Sequence, residues 1–233
     1  MLSYVSMQSM TLSKVMKLAK DTRKQKAYCY LRNAILSNEL KQGSAIVEQD
    51  ISDKLQISRT PIREALKMLE AEGLVYQIPQ RGTFVKEITT QDVEEIFMLR
   101  EALEVVALRE SIKHISDEPL DELESKLEKL SIQSKPEDFY ECDKMLHQLI
   151  IQNCGNRRLV HFLNTINSQI EMIRRISAML PNRLEKSKQE HLRIVRALKA
   201  RNLPKAESEL RKHIKNVEAS TLEVCRVGLW RDK

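Results

Sequence analysis

The sequence lacks the features that mark exported, membrane-bound and disulfide-rich proteins. Its four cysteines are widely spaced and form no Cys-x-x-Cys pair, which argues against a disulfide framework and against a zinc ribbon. No segment approaches the roughly 20 apolar residues of a membrane-spanning helix, and residues 1–20 contain no continuous apolar run. We therefore expect a cytoplasmic protein with no membrane partner.

Enzyme signatures and sequence repeats are also missing. The chain has no P-loop, no serine nucleophile elbow and no His-Glu-x-x-His motif. No histidine has a glutamate three residues before it, as the helices of a di-iron carboxylate bundle would require. The absence of an internal repeat argues against a solenoid. These absences make a metal-dependent enzyme joined to another domain the least favoured interpretation of the sequence.

Length and charge distribution indicate two domains with different partners. A chain of 233 residues exceeds the usual single-domain length of about 150, and 42% hydrophobic residues suffice for a core. Residues 1–88 carry 14 lysines and arginines against 9 aspartates and glutamates, whereas residues 89–233 carry 25 against 24. This positive excess favours a polyanionic partner for the N-terminal part.

The N-terminal part contains a helix-turn-helix pattern. A first helix is predicted over residues 23–37. Residues 47–55 then place Val47, Ile51 and Leu55 at helical spacing, and a short break at residues 56–58 separates them from a second helical pattern. The order helix, turn, helix is typical of DNA-binding domains.

The second helix of this pair has both ends marked by its sequence. Thr60 can cap its start, Pro61 suits the first helical position because it has no N–H to leave unpaired, and Gly73 supplies a left-handed end. Its apolar spacing predicts one buried face: Ile62, Ala65, Leu66 and Leu69. Basic side chains recur every four residues on another face: Arg59, Arg63 and Lys67. The arginines suit guanine in a major groove, and Thr60 suits a phosphate or a thymine methyl group.

Two short β-rich runs follow this helix. Residues 74–78 and 83–85 flank a turn whose tip carries Arg81 and Gly82. A long cation beside a backbone without a side chain suits contact with a minor groove or a phosphate. The pattern predicts a β-wing.

These residues resemble the GntR family of transcription regulators. Its winged-helix domain carries a sequence similar to Ile57–Leu66, then to Leu69–Leu74, and a wing similar to Arg81–Val85. The resemblance implies a DNA-binding domain over residues 23–88, preceded by an extension of residues 1–22. It also implies a set of DNA-contacting residues: Arg59, Thr60, Arg63, Arg81 and Gly82.

Beyond Val85 the sequence is typical of a helical bundle. Glycine occurs there at two positions, and short breaks delimit about six helical patterns. Thr89 or Thr90 can cap the first helix, whose apolar spacing predicts one buried stripe: Ile96, Leu99, Leu103, Val106 and Ala107. The predicted fold is mainly α with a small β-wing, a winged helix-turn-helix followed by an antiparallel all-helical bundle.

The bundle places several potential metal ligands on helices. Asp143 and His147 stand at i and i+4 and therefore project to one side. His191 and His213 lie among inward-facing apolar residues of later helices. Three imidazoles and one carboxylate suit a divalent ion of the Zn, Ni or Mn class. Satisfied core histidines and a surface Asp–His pair are the alternatives.

This half of the chain resembles the FCD effector domain of the FadR branch of the GntR family. In that branch an Asp-x-x-x-His pair and two later histidines bind a metal, which implies the ligand set Asp143, His147, His191 and His213. His114 and His161 have no place in the pattern. The resemblance implies an effector and dimerisation domain over residues 89–228, followed by a tail of residues 229–233.

The same resemblance implies a mechanism. We expect a homodimer, more often a repressor than an activator, that binds a palindromic DNA operator and releases it in response to a small carboxylate at the metal. Arg100 and Arg174 are the predicted carboxylate-binding residues, although the helical register leaves Arg174 and Arg175 as alternatives. A regulator whose metal is itself the signal, or is purely structural, is the second hypothesis.

Overall fold

The computed structural model describes residues 22–227 and divides into two compact units between Glu87 and Ile88. The boundary predicted from the sequence lies one residue later, between residues 88 and 89. The predicted tail and nearly all of the predicted N-terminal extension lie outside the described residues. None of the described helices combines the length and the apolar composition needed to cross a membrane.

The N-terminal unit is a winged helix-turn-helix. Its elements are α1 (22–36), β1 (Ala45–Ile46), α2 (Glu48–Leu55), α3 (Arg59–Ala71), β2 (Val75–Ile78) and β3 (Gly82–Val85). The strands form an antiparallel sheet in the order β1-β3-β2, with Ala45 opposite Phe84 and Tyr76 also opposite Phe84. The predicted wing is therefore confirmed, and β1 is an additional two-residue strand that the sequence pattern did not predict.

The helices of this unit bury the faces that their spacing predicts, with one exception. The apolar face of α3 is fully buried: Ile62, Ala65, Leu66 and Leu69. On α2, Ile51 is buried but Val47 is 51% exposed. Val47 precedes the helix in an extended conformation, so it does not share the helical face of Ile51, and its predicted place on that face is wrong.

The start of α3 also differs from the prediction. Ser58 is the N-cap residue, and Thr60 and Pro61 lie within the first turn. Pro61 is tolerated there because the first four N–H groups of a helix have no partner inside it. The predicted end is confirmed, since Gly73 has a φ of +70°. The shift makes Arg59 the first helical residue.

The described residues of the C-terminal unit, 88–227, form six helices, in agreement with the prediction of about six. They are α4 (Thr90–Ser111), α5 (Asp117–Lys129), α6 (Pro136–Gln152), α7 (Arg157–Ser177), α8 (Arg183–Lys199) and α9 (Leu203–Val227). Thr89 caps α4 in a reciprocal capping box with Asp92, which confirms one of the two predicted caps. Helix α9 packs against α4, α7 and α8, and α6 packs against α4, α5 and α8.

The predicted buried stripe of α4 is partly wrong. Ile96 and Ala107 are buried, but Leu99 and Val106 are 51% and 43% exposed, and Leu103 is half-buried. The helix instead buries a face that includes Arg100 and Glu104. These two charged side chains pair with each other at 2.7 Å, which allows their burial. The face that α4 buries therefore differs from the face that its apolar residues alone predict.

Candidate metal centre and DNA-binding surface

The predicted DNA-contacting residues lie on the surface of the N-terminal unit. Arg59, Thr60 and Arg63 are exposed on the first turns of α3, and Arg81 and Gly82 are exposed at the tip of the wing. A groove runs between α3 and the turn that joins β2 to β3, with Arg63, Lys67, Gln80 and Gly82 among its lining residues. Arg63 and Lys67 of the helix and Gly82 of the wing therefore line a common groove.

Side chains of α2 hold the arginines of α3. The Nε atom of Arg63 donates to both carboxylate oxygens of Glu48, at 3.0 and 2.8 Å. The Nε atom of Arg59 donates to Gln49 Oε1 at 3.1 Å. Glu48 was not singled out in the sequence analysis, because its role depends on the packing of α2 against α3. These contacts orient both guanidinium groups before DNA is present.

The wing tip is a tight turn. The Arg81 N–H donates to the Ile78 carbonyl at 3.0 Å, Pro79 occupies the second turn position, and Gln80 has a φ of +64°. Gly82 has a φ of +103°, a conformation that residues with a side chain rarely adopt. No atom lies within 4 Å of the place where a Cβ of Gly82 would stand. The backbone at the tip is therefore accessible to a large partner.

The four predicted metal ligands converge in the interior of the helical unit. Asp143 and His147 come from α6, His191 from α8 and His213 from α9, and one ligand atom of each lies within 4.8 Å of the others. The Asp143 Oδ1 atom is 3.8, 3.2 and 3.9 Å from the Nε2 atoms of His147, His191 and His213, respectively. His191 Nε2 and His213 Nε2 are 3.4 Å apart. All four residues are buried.

This donor set fits a divalent transition metal. Ligand atoms bonded to one ion at about 2.0–2.2 Å lie roughly 3–4 Å from one another. The four distances given above lie in that range. Imidazole nitrogen with one carboxylate oxygen is the chemistry that Zn²⁺ and Ni²⁺ accept. Four protein ligands also leave coordination positions for a small molecule when the ion prefers more than four.

Two glutamates orient the histidine rings. His147 Nδ1 donates to Glu104 Oε2 at 2.6 Å, and His213 Nδ1 donates to Glu190 Oε2 at 2.8 Å. Because a carboxylate accepts the Nδ1 proton, the Nε2 lone pair of each ring is directed towards the cluster. Carboxylate–histidine pairs of this kind accompany most metal-binding histidines.

The glutamates are themselves anchored by charge. Glu190 accepts from Arg183 Nη1 and Nη2 at 3.1 and 2.9 Å and from Asn216 Nδ2 at 2.8 Å. Burial opposes ionisation of Glu190, but His213 and Arg183 outweigh it and lower its pKa to about 2. Burial likewise opposes ionisation of Glu104, whereas Arg100 and His147 lower its pKa to about 2. Both groups are therefore carboxylates at neutral pH.

Two of the histidines, His191 and His213, are held in their neutral form. Burial is the main cause that lowers the pKa of His213, to about 3, and the neighbouring His191 lowers it further. Burial also lowers the pKa of His191, although Asp143 opposes that shift. Neutral imidazole is the form that coordinates a metal.

Arg100 lies inside this network. It is 1% exposed, donates from Nε to Glu104 Oε1 at 2.7 Å, and places Nη2 2.9 Å from His147 Nε2. The predicted carboxylate-binding residue thus contacts the same nitrogen that would bind a metal. An Arg–Glu pair four residues apart on an otherwise apolar face is the feature of the sequence that could have indicated this network.

The structure distinguishes between the two candidate arginines of α7. Arg174 Nε is 2.6 Å from Asp143 Oδ2, although the two atoms are not aligned for a hydrogen bond, so the contact is an ion pair. The Arg175 guanidinium instead lies over the Tyr140 ring, 4.8 Å from its centroid. Arg174 is therefore the residue that faces the cluster. His114 and His161 are exposed.

A narrow pocket connects the cluster with the surface of the helical unit. Asp143, Arg174 and His191 line its inner end, and it has room for about one water molecule. It opens into a cleft of about 810 Å³ formed by the loops that join α5 to α6 and α7 to α8. The pocket and the cleft share Phe139, Arg183 and Lys188.

Both units match one class of DNA-binding regulator. Residues 23–85 match the family described as "Bacterial regulatory proteins, gntR family", and residues 95–216 match the FCD domain. The chain therefore belongs to the GntR family of transcription regulators, in the FadR-type group that carries an FCD domain. It is a DNA-binding regulator and not an enzyme.

Two relatives and one solved structure illustrate this membership. The chain is 30% identical to the HTH-type transcriptional regulator YdhC of Bacillus subtilis over 190 residues, which cover 80% of this chain and 85% of YdhC. It is 27% identical to the HTH-type transcriptional repressor RspR of Escherichia coli over 203 residues, 86% of this chain and 89% of RspR. The Zn²⁺-bound FCD domain of TM0439 is 25% identical, with a TM-score of 0.53, and covers 59% of this chain and 96% of that domain. The buried cluster of one aspartate and three histidines is like the zinc site of that domain.

Proposed function

We propose that this protein is a homodimeric repressor whose affinity for a palindromic operator is controlled by a small organic acid bound at a metal centre. Residues 23–88 bind DNA, and residues 89–228 bind the metal and the acid and form the dimer. The observation that carries the proposal is the convergence of four buried ligand atoms within 4.8 Å, two of them on histidines oriented by glutamates. Repression is supported by the likeness to the repressor RspR.

DNA recognition combines the helix and the wing. Arg59, Thr60 and Arg63 enter the major groove at the start of α3, while Arg81 and Gly82 contact a minor groove or the phosphate backbone. Bidentate arginine–guanine contacts supply base specificity, and the wing adds affinity that depends little on sequence. Two copies bind the two halves of the operator, since a twofold protein matches a palindrome.

Asp143, His147, His191 and His213 would hold the ion through one carboxylate oxygen and three Nε2 atoms. When bound, the ion supplies a Lewis-acidic position for a carboxylate oxygen of the effector. Glu104 and Glu190 keep the Nδ1 protons of two rings away from the ion. The donor set favours the Zn, Ni or Mn class.

Arg100 would have to release His147 if a metal were bound. For His147 Nε2 to act as a ligand, Arg100 must withdraw the Nη2 donor that now lies 2.9 Å from it. That donor then serves a carboxylate, and Arg174 offers a second guanidinium from the Asp143 side. Because Arg100 belongs to α4, the first helix after the DNA-binding unit in the chain, its exchange of partners would be a route from the centre to residues 86–89, which join β3 to α4.

Regulation requires that the effector prefer one arrangement of the dimer. A coupling free energy of about 1–3 kcal/mol changes operator affinity by roughly 5- to 150-fold, which suffices for a switch. In this proposal, the contacts that differ between the two arrangements are those of Arg100.

The test begins with metal analysis of the purified protein, followed by a thermal-shift screen of small carboxylates on the zinc-loaded form and on zinc-treated His147→Ala. The same acids are then added to a DNA-binding titration. An acid that stabilises the wild type, needs His147 and weakens DNA binding supports the proposal. If metal alone changes the DNA affinity, the result would favour a metal sensor. If neither the metal nor the acid changes it, the ion would have a purely structural role.

A further inference from the structure

We infer that the effector carries a second anionic group, and that Arg183 and Lys188 bind it. Both residues lie in the neck, the part of the narrow pocket that shares Phe139, Arg183 and Lys188 with the open cleft. This inference rests on the proposed function and specifies the chemical class of the effector as a diacid.

Arg183 has a buried donor without an acceptor. The residue is 3% exposed, and its Nη1 and Nη2 atoms are used by Glu190. Its Nε atom is buried and has no hydrogen-bond partner among the described residues. An unpaired buried donor is rare because it forgoes both water and a protein partner. Since Arg183 lines both the narrow pocket and the cleft, a ligand acceptor in the neck would satisfy it.

Lys188 adds a second cation to the same neck. Its side chain is 13% exposed, its Nζ atom donates to the Leu130 carbonyl at 2.7 Å, and the nearest carboxylate, on Glu185, is 3.7 Å away. An ammonium group has three N–H donors, so the Leu130 contact leaves donor capacity. Lys188 and Arg183 line both the pocket and the cleft, and Phe139 and Leu184 supply apolar wall between the polar groups.

Of the three cations that line the narrow pocket, Lys188 has the most distant carboxylate partner, Glu185 at 3.7 Å. Asp143 is already ion-paired with Arg174, and Glu190 with Arg183. The pocket has room for about one water molecule, so an effector with its first acid group at the centre, beside Arg174, must widen it to extend towards Arg183 Nε and Lys188 Nζ. A monoacid of the same length would place a methyl group beside these cations and leave their donors unsatisfied.

The experiment compares acids of equal length by calorimetric titration of the zinc-loaded full-length protein. The probes are α,ω-dicarboxylates of four to eight carbons, the corresponding monocarboxylates, and phosphono-carboxylates of the same chain lengths. At one chain length at least, a diacid should bind about tenfold more tightly than its monoacid, a difference of about 1.4 kcal/mol, because hydrogen bonds to charged groups are stronger than those between neutral groups. Whichever binds more tightly at that chain length, the dicarboxylate or the phosphono-carboxylate, identifies the second group as carboxylate or phosphonate-like.

Variants assign the preference to the neck. Lys188→Met and Arg183→Lys should reduce the diacid preference several-fold, whereas Lys186→Met, an exposed lysine on the same helix, should preserve it. The zinc affinity of Arg183→Lys is measured separately, because Arg183 also anchors Glu190. Equal binding of monoacids and diacids, or a preference that survives both neck substitutions, would overturn the inference and leave the proposed function intact. Failure of every acid to bind would overturn the proposed function as well.

Discussion

The two units hold their functional arginines in opposite ways. In the DNA-binding unit the side chain of Arg63 is 62% exposed and pairs with Glu48 at the surface. In the helical unit the side chain of Arg100 is 1% exposed and pairs with Glu104 and His147. An exposed pair exchanges its partner for DNA or water at little cost, whereas a buried pair cannot lose one member without leaving a charge unsatisfied. The same pairing chemistry therefore provides an adaptable contact surface in one unit and, in the Arg100–Glu104 pair, a fixed arrangement in the other.

The largest effect is expected from removal of a metal ligand. His213→Ala should lower zinc affinity by more than about a hundredfold, since even the partners behind metal ligands contribute roughly 10- to 100-fold. Zinc competition against a chromophoric chelator measures the affinity. His161→Ala, which changes an exposed histidine, is the matched control and should bind zinc like the wild type. Wild-type affinity in His213→Ala would remove His213 from the ligand set.

Substitution of a glutamate that orients a ligand histidine should lower the zinc affinity somewhat less. Glu190→Gln keeps the size of the side chain but removes the charge that accepts the His213 Nδ1 proton, so we expect a loss of about 10- to 100-fold in zinc affinity. The same competition assay measures it, with the exposed Glu185→Gln on the same helix as control. A loss no larger than that of the control would show that Glu190 only fills space.

The difference between the units also explains what could be predicted from the sequence. The exposure of the predicted DNA-contacting residues follows from the order of helix, turn, helix and wing, because local spacing determines which side chains of α3 point outward. The convergence of Asp143, His147, His191 and His213 was predicted from one i, i+4 pair, two inward-facing positions and the resemblance to the FCD domain. Side-chain partners from distant helices, such as Glu190 behind His213, have no local signature and required the tertiary structure.

The errors have physical reasons of the same kind. The stripe predicted for α4 failed at Leu99 and Val106 because apolar spacing cannot register a buried face that contains an ion pair. The cap of α3 was misplaced because Ser58 and Thr60 are both good N-cap residues, and only the backbone geometry decides between them. Strand β1 has two residues and is defined by its pairing with β3, which local sequence does not encode.

In the DNA-binding unit the main test is a recognition arginine. Arg63→Ala should weaken operator binding by about 1–3 kcal/mol and relax base preference, while binding to scrambled DNA changes less. Fluorescence anisotropy on a fragment selected from random DNA and on its scrambled version gives both isotherms. Lys41→Ala, an exposed lysine of the same unit, is the control. Unchanged isotherms on both DNAs would remove Arg63 from the recognition set.

The smallest expected effect comes from the exposed counterpart of Glu190→Gln. Glu48→Gln removes the carboxylate that accepts from Arg63 Nε, but at the surface water and DNA phosphate can replace it, and exposed pairs contribute only about 0.2–1 kcal/mol. We therefore expect DNA affinity to rise by no more than about fivefold, since a negative charge near the phosphates is lost. Asp50→Asn, on the same helix, separates this effect from the general change in charge. A clear loss of operator affinity in Glu48→Gln, with binding to scrambled DNA unchanged, would mean that Glu48 orients Arg63 for base contact. In that case the surface pair would be as dependent on its geometry as the buried one, and the contrast between the two units would not hold.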